Sequence, residues 1–193
     1  MRKLIIITTS AILTILLFSI IYLSTYGIKT DNFNTFINNK VKEYNSNLTL
    51  KLDDVFIKLN LTQASININS NNAILLNNNN FLKIFNIDIN LNALKFIKKE
   101  NSIKNIKIET SENSIKDITS LLNSIDYDLS RFIFYSQIKK GLIKFKLNAE
   151  FDSIEDKIHS YKISGSVKDA KFNLVGNDSF DNINFKFKAK DKL

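Results

Sequence analysis

Residues 141–151 read GLIKFKLNAEF: Ile143, Phe145, Leu147, Ala149 and Phe151 fall on every second position, with Lys144, Lys146, Asn148 and Glu150 between them. A period of two puts the two sets on opposite faces of an extended strand, one dry and one wet. The same alternation recurs outward in both directions. Towards the N-terminus it appears in Phe85, Ile87, Ile89 and Leu91, in Ile106 and Ile108, and in Ala64, Ile66 and Ile68. Towards the C-terminus it appears in Tyr161 and Ile163, in Phe172 and Leu174, and in Ile183, Phe185, Phe187 and Ala189. Leu48, Leu50 and Leu52 alternate as well, but Val55, Ile57, Leu59 and Leu61 continue in the opposite phase. The slip at Asp53 and Asp54 requires a bulge or a turn, because a shift of one residue exchanges the faces of a strand. Ser70-Asn71-Asn72 and residues 77–80 read as breaks between strands.

Three short segments carry helical spacing instead. Residues 31–44 place Phe33, Phe36, Ile37, Val41 and Tyr44 on one side, with Asp31 as N-cap. Residues 92–99 form a second candidate. Residues 114–125 form the third, with Ser114 and Asp117 in capping-box positions and Ile115, Ile118, Leu121, Leu122 and Ile125 as an apolar stripe.

Ahead of all this, residues 4–26 are an uncharged run of about 23 residues without proline, enough to cross a ~30 Å hydrocarbon core at ~1.5 Å per residue. Arg2 and Lys3 precede it, which by the positive-inside rule puts the N-terminus in the cytoplasm and the rest on the far side. The run is longer than the core of a cleaved signal peptide, and residues 22–26, YLSTY, offer no pair of small residues for cleavage. The expected organisation is a cytoplasmic tip and signal anchor over 1–27, followed by one strand-rich domain over 28–193.

Composition narrows the functional classes. With no cysteine there is no disulfide framework and no thiolate chemistry. The net charge of +8 is spread along strands, with Lys144, Lys146, Lys186, Lys188 and Lys190 opposite the apolar rows. That is a solvated sheet face rather than a nucleic-acid site. His159 is the only histidine and stands in no nucleophile context. Asp152, Glu155 and Asp156 lack the spacing of a calcium loop. Together with Asp126 and Asp128 they read as turn formers. Neither a catalytic group, a metal site nor a cofactor is expected.

The fold class is therefore mainly β, in α+β form: an N-terminal transmembrane helix, then a mostly antiparallel sheet with about three short helices. An antiparallel sheet with one dry face needs a cover. Three short helices are few for eight or nine strands, so the residues alone allow either a closed sandwich or an open apolar groove, and favour the sandwich.

The order of elements resembles the AsmA-like family of inner-membrane-anchored periplasmic proteins. The resemblance runs from the anchor through LTLKLDDVFIKL (48–59), IFNIDINLNALKFI (84–97), IKNIKIET (103–110), SIKDITSLLNSI (114–125), GLIKFKLNAEF (141–151) and KISGSVKDAKF (162–172). It implies a curved, open β-groove with an apolar interior that binds or helps transfer phospholipid, serving outer-membrane lipid homeostasis. It also implies membrane phospholipid as partner, with other envelope proteins as further partners. The groove residues would be Phe85, Ile87, Ile89, Leu91, Ile106, Ile108, Ile143, Phe145, Leu147, Phe185 and Phe187. Family members are usually several times longer, whereas nine strands at ~4.8 Å reach only about 43 Å. An N-terminal piece of a longer groove and a short member both remain open. The alternative is a tethered, non-enzymatic scaffold built on a closed sandwich.

Overall fold

The computed structural model describes residues 1–77, 80–98, 100, 102–125, 138–152, 157–173 and 179–192. The N-terminal run forms α1 (Arg2–Thr25), none of which is buried against the protein. It is long and apolar enough to span a membrane. Thr8, Thr9, Thr14 and Ser19 donate their hydroxyls to carbonyls four residues back, which satisfies these four donors within the helix.

After α1 the chain continues as β1 (Ile28–Thr30), α2 (Asn32–Tyr44), β2 (Leu48–Lys51), β3 (Asp54–Asn60), β4 (Ser65–Asn77), β5 (Asn80–Asn92), α3 (Ala93–Ile97) and β6 (Ile103–Thr110). It ends with β7 (Asn113–Ser114), α4 (Ile115–Ile125), β8 (Ile138–Phe151), β9 (Ile158–Asn173) and β10 (Ser179–Lys192). All strands join one antiparallel sheet in the order β1-β3-β4-β5-β6-β8-β9-β10, with β2 beside β4 and β7 beside β8. Among the described residues the sheet is open, with β1 and β10 at the two ends of this order, so the sandwich favoured by the residues alone does not form. The three helical segments form within a residue or two of where their spacing places them. Asn92 caps α3 by accepting from Leu94 N (3.0 Å) and Lys95 N (3.2 Å).

The junction between α1 and the sheet rests on Gly27. Its φ of +72° is in the left-handed region, and its N–H donates to Tyr22 O at 3.3 Å. A Cβ there would stand 2.5 Å from Phe56 Cζ and 2.7 Å from Ile57 O, so both the turn and the close approach require glycine.

The phase slip at Asp53 and Asp54 extends beyond one strand. Inward positions step by three residues from Leu52 to Val55, from Ser70 to Ala73 and from Ile84 to Ile87. Val55 pairs with Ser70 and Ser70 with Ile87, while Ala73 pairs with Ile84, so the three steps lie side by side. Asn72, with φ +55°, takes the left-handed turn this needs. Ser70-Asn71-Asn72 is therefore a crease inside the continuous strand β4. A second crease crosses the other end, where Gly141 (φ +143°), Asp169 (φ +50°) and Asn182 (φ +58°) carry the irregular backbone. There β9 steps inward from Val167 to Ala170, both buried. Residues 161–172, expected as two short runs, are one strand. Ala64, expected in the β4 alternation, occupies the preceding turn with φ +45°. Leu174, Glu155, Asp156, Asp126 and Asp128 lie outside the described residues.

The helices cover part of the apolar face. Ile118 and Leu121 of α4 cluster with Leu48, Ala73, Leu82, Ile84 and Ile87, and Val41 of α2 packs against this group. Phe33 and Ile37 of α2 and Phe96 of α3 pack against Val55, Ile57, Ile68 and Leu91. Polar side chains complete the framework. The Thr110 hydroxyl accepts from Phe145 N (2.9 Å) and donates to Phe145 O (3.3 Å). Asn113 accepts from Lys83 N (2.7 Å) and donates to Lys83 O (2.9 Å), as a neighbouring strand would.

Leu121, 2% exposed, is the centre of the α4 contact. Leu121→Ala is expected to destabilise the domain by about 2–5 kcal/mol, read as a lowered midpoint in thermal unfolding followed by near-UV circular dichroism. Gly27→Ala is expected to cost about 1–2 kcal/mol through the left-handed turn alone, and more through the clash with Ile57 O.

Candidate functional site

The candidate groove residues come from four elements. Ile87, Ile89 and Leu91 lie on β5, Ile106 and Ile108 on β6, Ile143, Phe145 and Leu147 on β8, and Phe185 and Phe187 on β10. Register puts them on one face: Ile87 pairs with Ile108, Ile108 with Leu147, Leu147 with Ile163 and Ile163 with Ala189. The next row runs Ile89, Ile106, Ala149, Tyr161. Tyr161 and Ile163 thus belong with the candidates. Their alternation was visible in the sequence, but only the pairing with β8 places them in the same rows.

Phe85 is the exception. On β5 the register against β6 shifts between Ile84 and Asn86, so the bulge turns Phe85 onto the polar face. It is 51% exposed, with Lys144 Nζ 5.8 Å from its ring centroid. Simple alternation assigned it to the wrong side, since a bulge inverts everything on one flank of it.

The ten remaining candidates differ in cover. Ile87 and Leu91 are 7% and 5% exposed and belong to the clusters closed by α4, α2 and α3. Ile89, Ile108, Ile143 and Phe145 pack against the rim of the α4 cluster. Phe145 and Phe187 also flank Gly165, where a Cβ would meet Phe187 Cζ at 2.5 Å and Phe145 Cβ at 2.9 Å. Ile106 and Leu147, with Tyr161 and Ile163, are half-buried and join none of the three hydrophobic clusters. Phe185, 41% exposed, ends the face at the sheet edge. What remains for a ligand among the described residues is a strip across β6, β8 and β9 rather than the whole face.

The polar face has its own geometry. A recess of about 400 Å³ there is lined by Asn86, Asp88, Lys107, Glu109, Lys146 and Lys162 among others. Glu109 bridges two cations, Lys146 Nζ at 2.8 Å and Lys144 Nζ at 3.2 Å. The hydrogen bond from Lys146 holds its carboxyl below the usual glutamate range; partial burial opposes this and Lys144 adds to it. Glu112 is lowered in the same way by Lys168, 2.6 Å away. His159 lies exposed on β9. Among the described residues no three His, Asp or Glu side chains gather as a metal site would require.

Helix and sheet together define a class in coarse terms: an open antiparallel sheet carried on a single helix able to span a membrane. Comparison with known proteins does not refine it, since no known protein family, no curated protein and no solved structure matches the chain.

A carboxylate held low contributes stability above the usual range and loses it as pH falls through the lowered value. Lys146→Met is therefore expected to move the Glu109 titration midpoint up towards ordinary glutamate in an NMR pH titration. Stability should fall slightly at neutral pH, where the pair is charged, and converge with that of the unaltered protein in acid, so that the acid side of the profile flattens.

Proposed function

We propose that this chain is a membrane-anchored, non-enzymatic module that receives a phospholipid acyl chain along the uncovered strip of its sheet. The strip made by Ile106, Leu147, Tyr161 and Ile163 carries the reading: aligned apolar side chains, half-buried, beside helices that dry the rest of the face. The AsmA-like order of elements supports the same ligand. Arg2 and Lys3 before α1 support a cytoplasmic N-terminus in an inner membrane with the sheet in the periplasm.

Magnitudes define what such a strip can do. About eight methylenes span the ~10 Å from β6 to β9. With half of their surface covered, they gain about 3 kcal/mol, short of the ~4 kcal/mol of a millimolar complex. The strip therefore docks a chain whose remainder stays in the bilayer or passes to a further carrier, and it does not extract lipid alone. Turnover between membranes suits such weak binding, and no bond is made or broken.

The full chain in nanodiscs containing a phospholipid with a photoreactive acyl chain tests this. Crosslinks are expected on peptides from β6, β8 and β9 as well as on α1. Leu147→Asp with Ile163→Asp should remove the sheet crosslinks and leave those on α1. Labelling confined to α1 in the unaltered protein would refute the proposal.

A further inference from the structure

The two edges of the sheet are unlike. At the anchor side, β1 is three residues long, and Lys29 is paired with Asp54 at 2.7 Å. The free edge of the adjoining β2 is met by α2, whose Asn38 Oδ1 accepts from Leu50 N (2.9 Å) and whose Asn34 Nδ2 donates to Leu52 O (3.3 Å). At the other end, β10 runs for 14 residues, pairs with β9 on one side, and has no partner strand on the other among the described residues. A long edge of this kind is a template for one more strand.

The side chains of β10 specify that strand on both faces. Phe185 pairs with the buried Val167 and Phe180 with Phe172, yet Phe185 and Phe180 are 41% and 55% exposed because no neighbour covers their outer flank. On the opposite face Lys186, Lys188 and Lys190 stand exposed in a row. Among the described residues no carboxylate lies within ion-pair distance of these three. A second copy paired through this edge would set lysine against lysine, which is unfavourable across strands. A strand alternating apolar and acidic residues would instead cover Phe185, Phe187 and Ala189 on one face and neutralise the three lysines on the other.

We infer that β10 is a docking edge for an extended protein segment of alternating acidic and apolar residues, added as the next strand of the sheet. Seven strand spacings of ~4.8 Å separate β10 from β1, roughly 34 Å along the sheet, so a partner whose segment docks there stands clear of α1. Backbone hydrogen bonds supply affinity, and the lysine row supplies selection and orientation. This inference is independent of the lipid strip, since β10 lies beyond it.

The test uses the full chain in detergent micelles and two blocked peptides of about ten residues, the length of a long strand, one alternating Glu with Val and the other Lys with Val. Binding is followed by fluorescence anisotropy and by amide hydrogen exchange. The Glu–Val peptide is expected to bind about tenfold or more tightly than the Lys–Val peptide, the change that three cross-strand charge pairs amount to. It should also slow exchange of β10 amides. Lys186→Glu, Lys188→Glu and Lys190→Glu together should invert the preference, and the corresponding Gln variant should abolish it; far-UV circular dichroism checks that both remain folded. Failure of the Glu–Val peptide to bind, equal binding of both peptides, a preference that survives charge reversal, or binding without slowed exchange in β10 would each overturn the inference.

Discussion

A side chain can reach the dry face of a sheet only if its strand, and every strand beside it, keeps the same count of residues between inward positions. Where one strand inserts a residue, its neighbours must insert one alongside it or lose the shared face. This constraint organises the molecule. The steps Leu52 to Val55, Ser70 to Ala73 and Ile84 to Ile87 form one line across β2/β3, β4 and β5. Because the step is shared, Leu48, Ala73, Ile84 and Ile87 all meet α4 on the same side of the sheet. A step in β4 alone would have sent half of that cluster into water. The cost is local, borne by Asn72 and by the turn residues Asp53 and Asp54, whose short polar side chains tolerate such backbone.

This also explains which parts of the structure could be read from the amino acids. Stretches with one unbroken phase, such as Ile143–Ala149 of β8, were legible to the residue, and the three helices within a residue or two, because a period of two or of 3.6 is a property of the segment alone. Phe85 was not legible. Its own neighbours, Ile87 and Ile89, argue for the inner face, and the shift against β6 that turns it outward belongs to the pairing of two segments far apart in sequence. Ser70-Asn71-Asn72 misled for a related reason: polar residues that end a strand and polar residues that crease one have the same composition. The extent of cover was also beyond the sequence. Helix length was visible, but the placement of Ile118 and Leu121 over Ile87 depends on where β7 pins α4 against β8.

The candidate site follows from the same geometry. The dry face is not uniform: α2 and α4 lie over β2 to β5 and the near part of β8, and among the described residues the strip at Ile106, Leu147, Tyr161 and Ile163 is what they leave over. Single-sequence patterning gave the correct face for ten of the eleven candidates, but it could not rank them by exposure. Burial of Ile87 and Leu91 assigns those two to the core, while the half-buried positions nearer β9 keep contact surface available.

The sheet is almost a meander, with β3, β4, β5, β6, β8, β9 and β10 each beside the strand that precedes or follows it among the long strands. Nearly every pairing therefore closes a short stretch of chain, the arrangement that assembles fastest. α1, long and apolar enough to span a membrane, precedes the sheet in sequence, and the earliest hairpins lie nearest to it. Each later hairpin finds a finished edge to join, so the molecule can be built in the direction of synthesis, without waiting for its C-terminus.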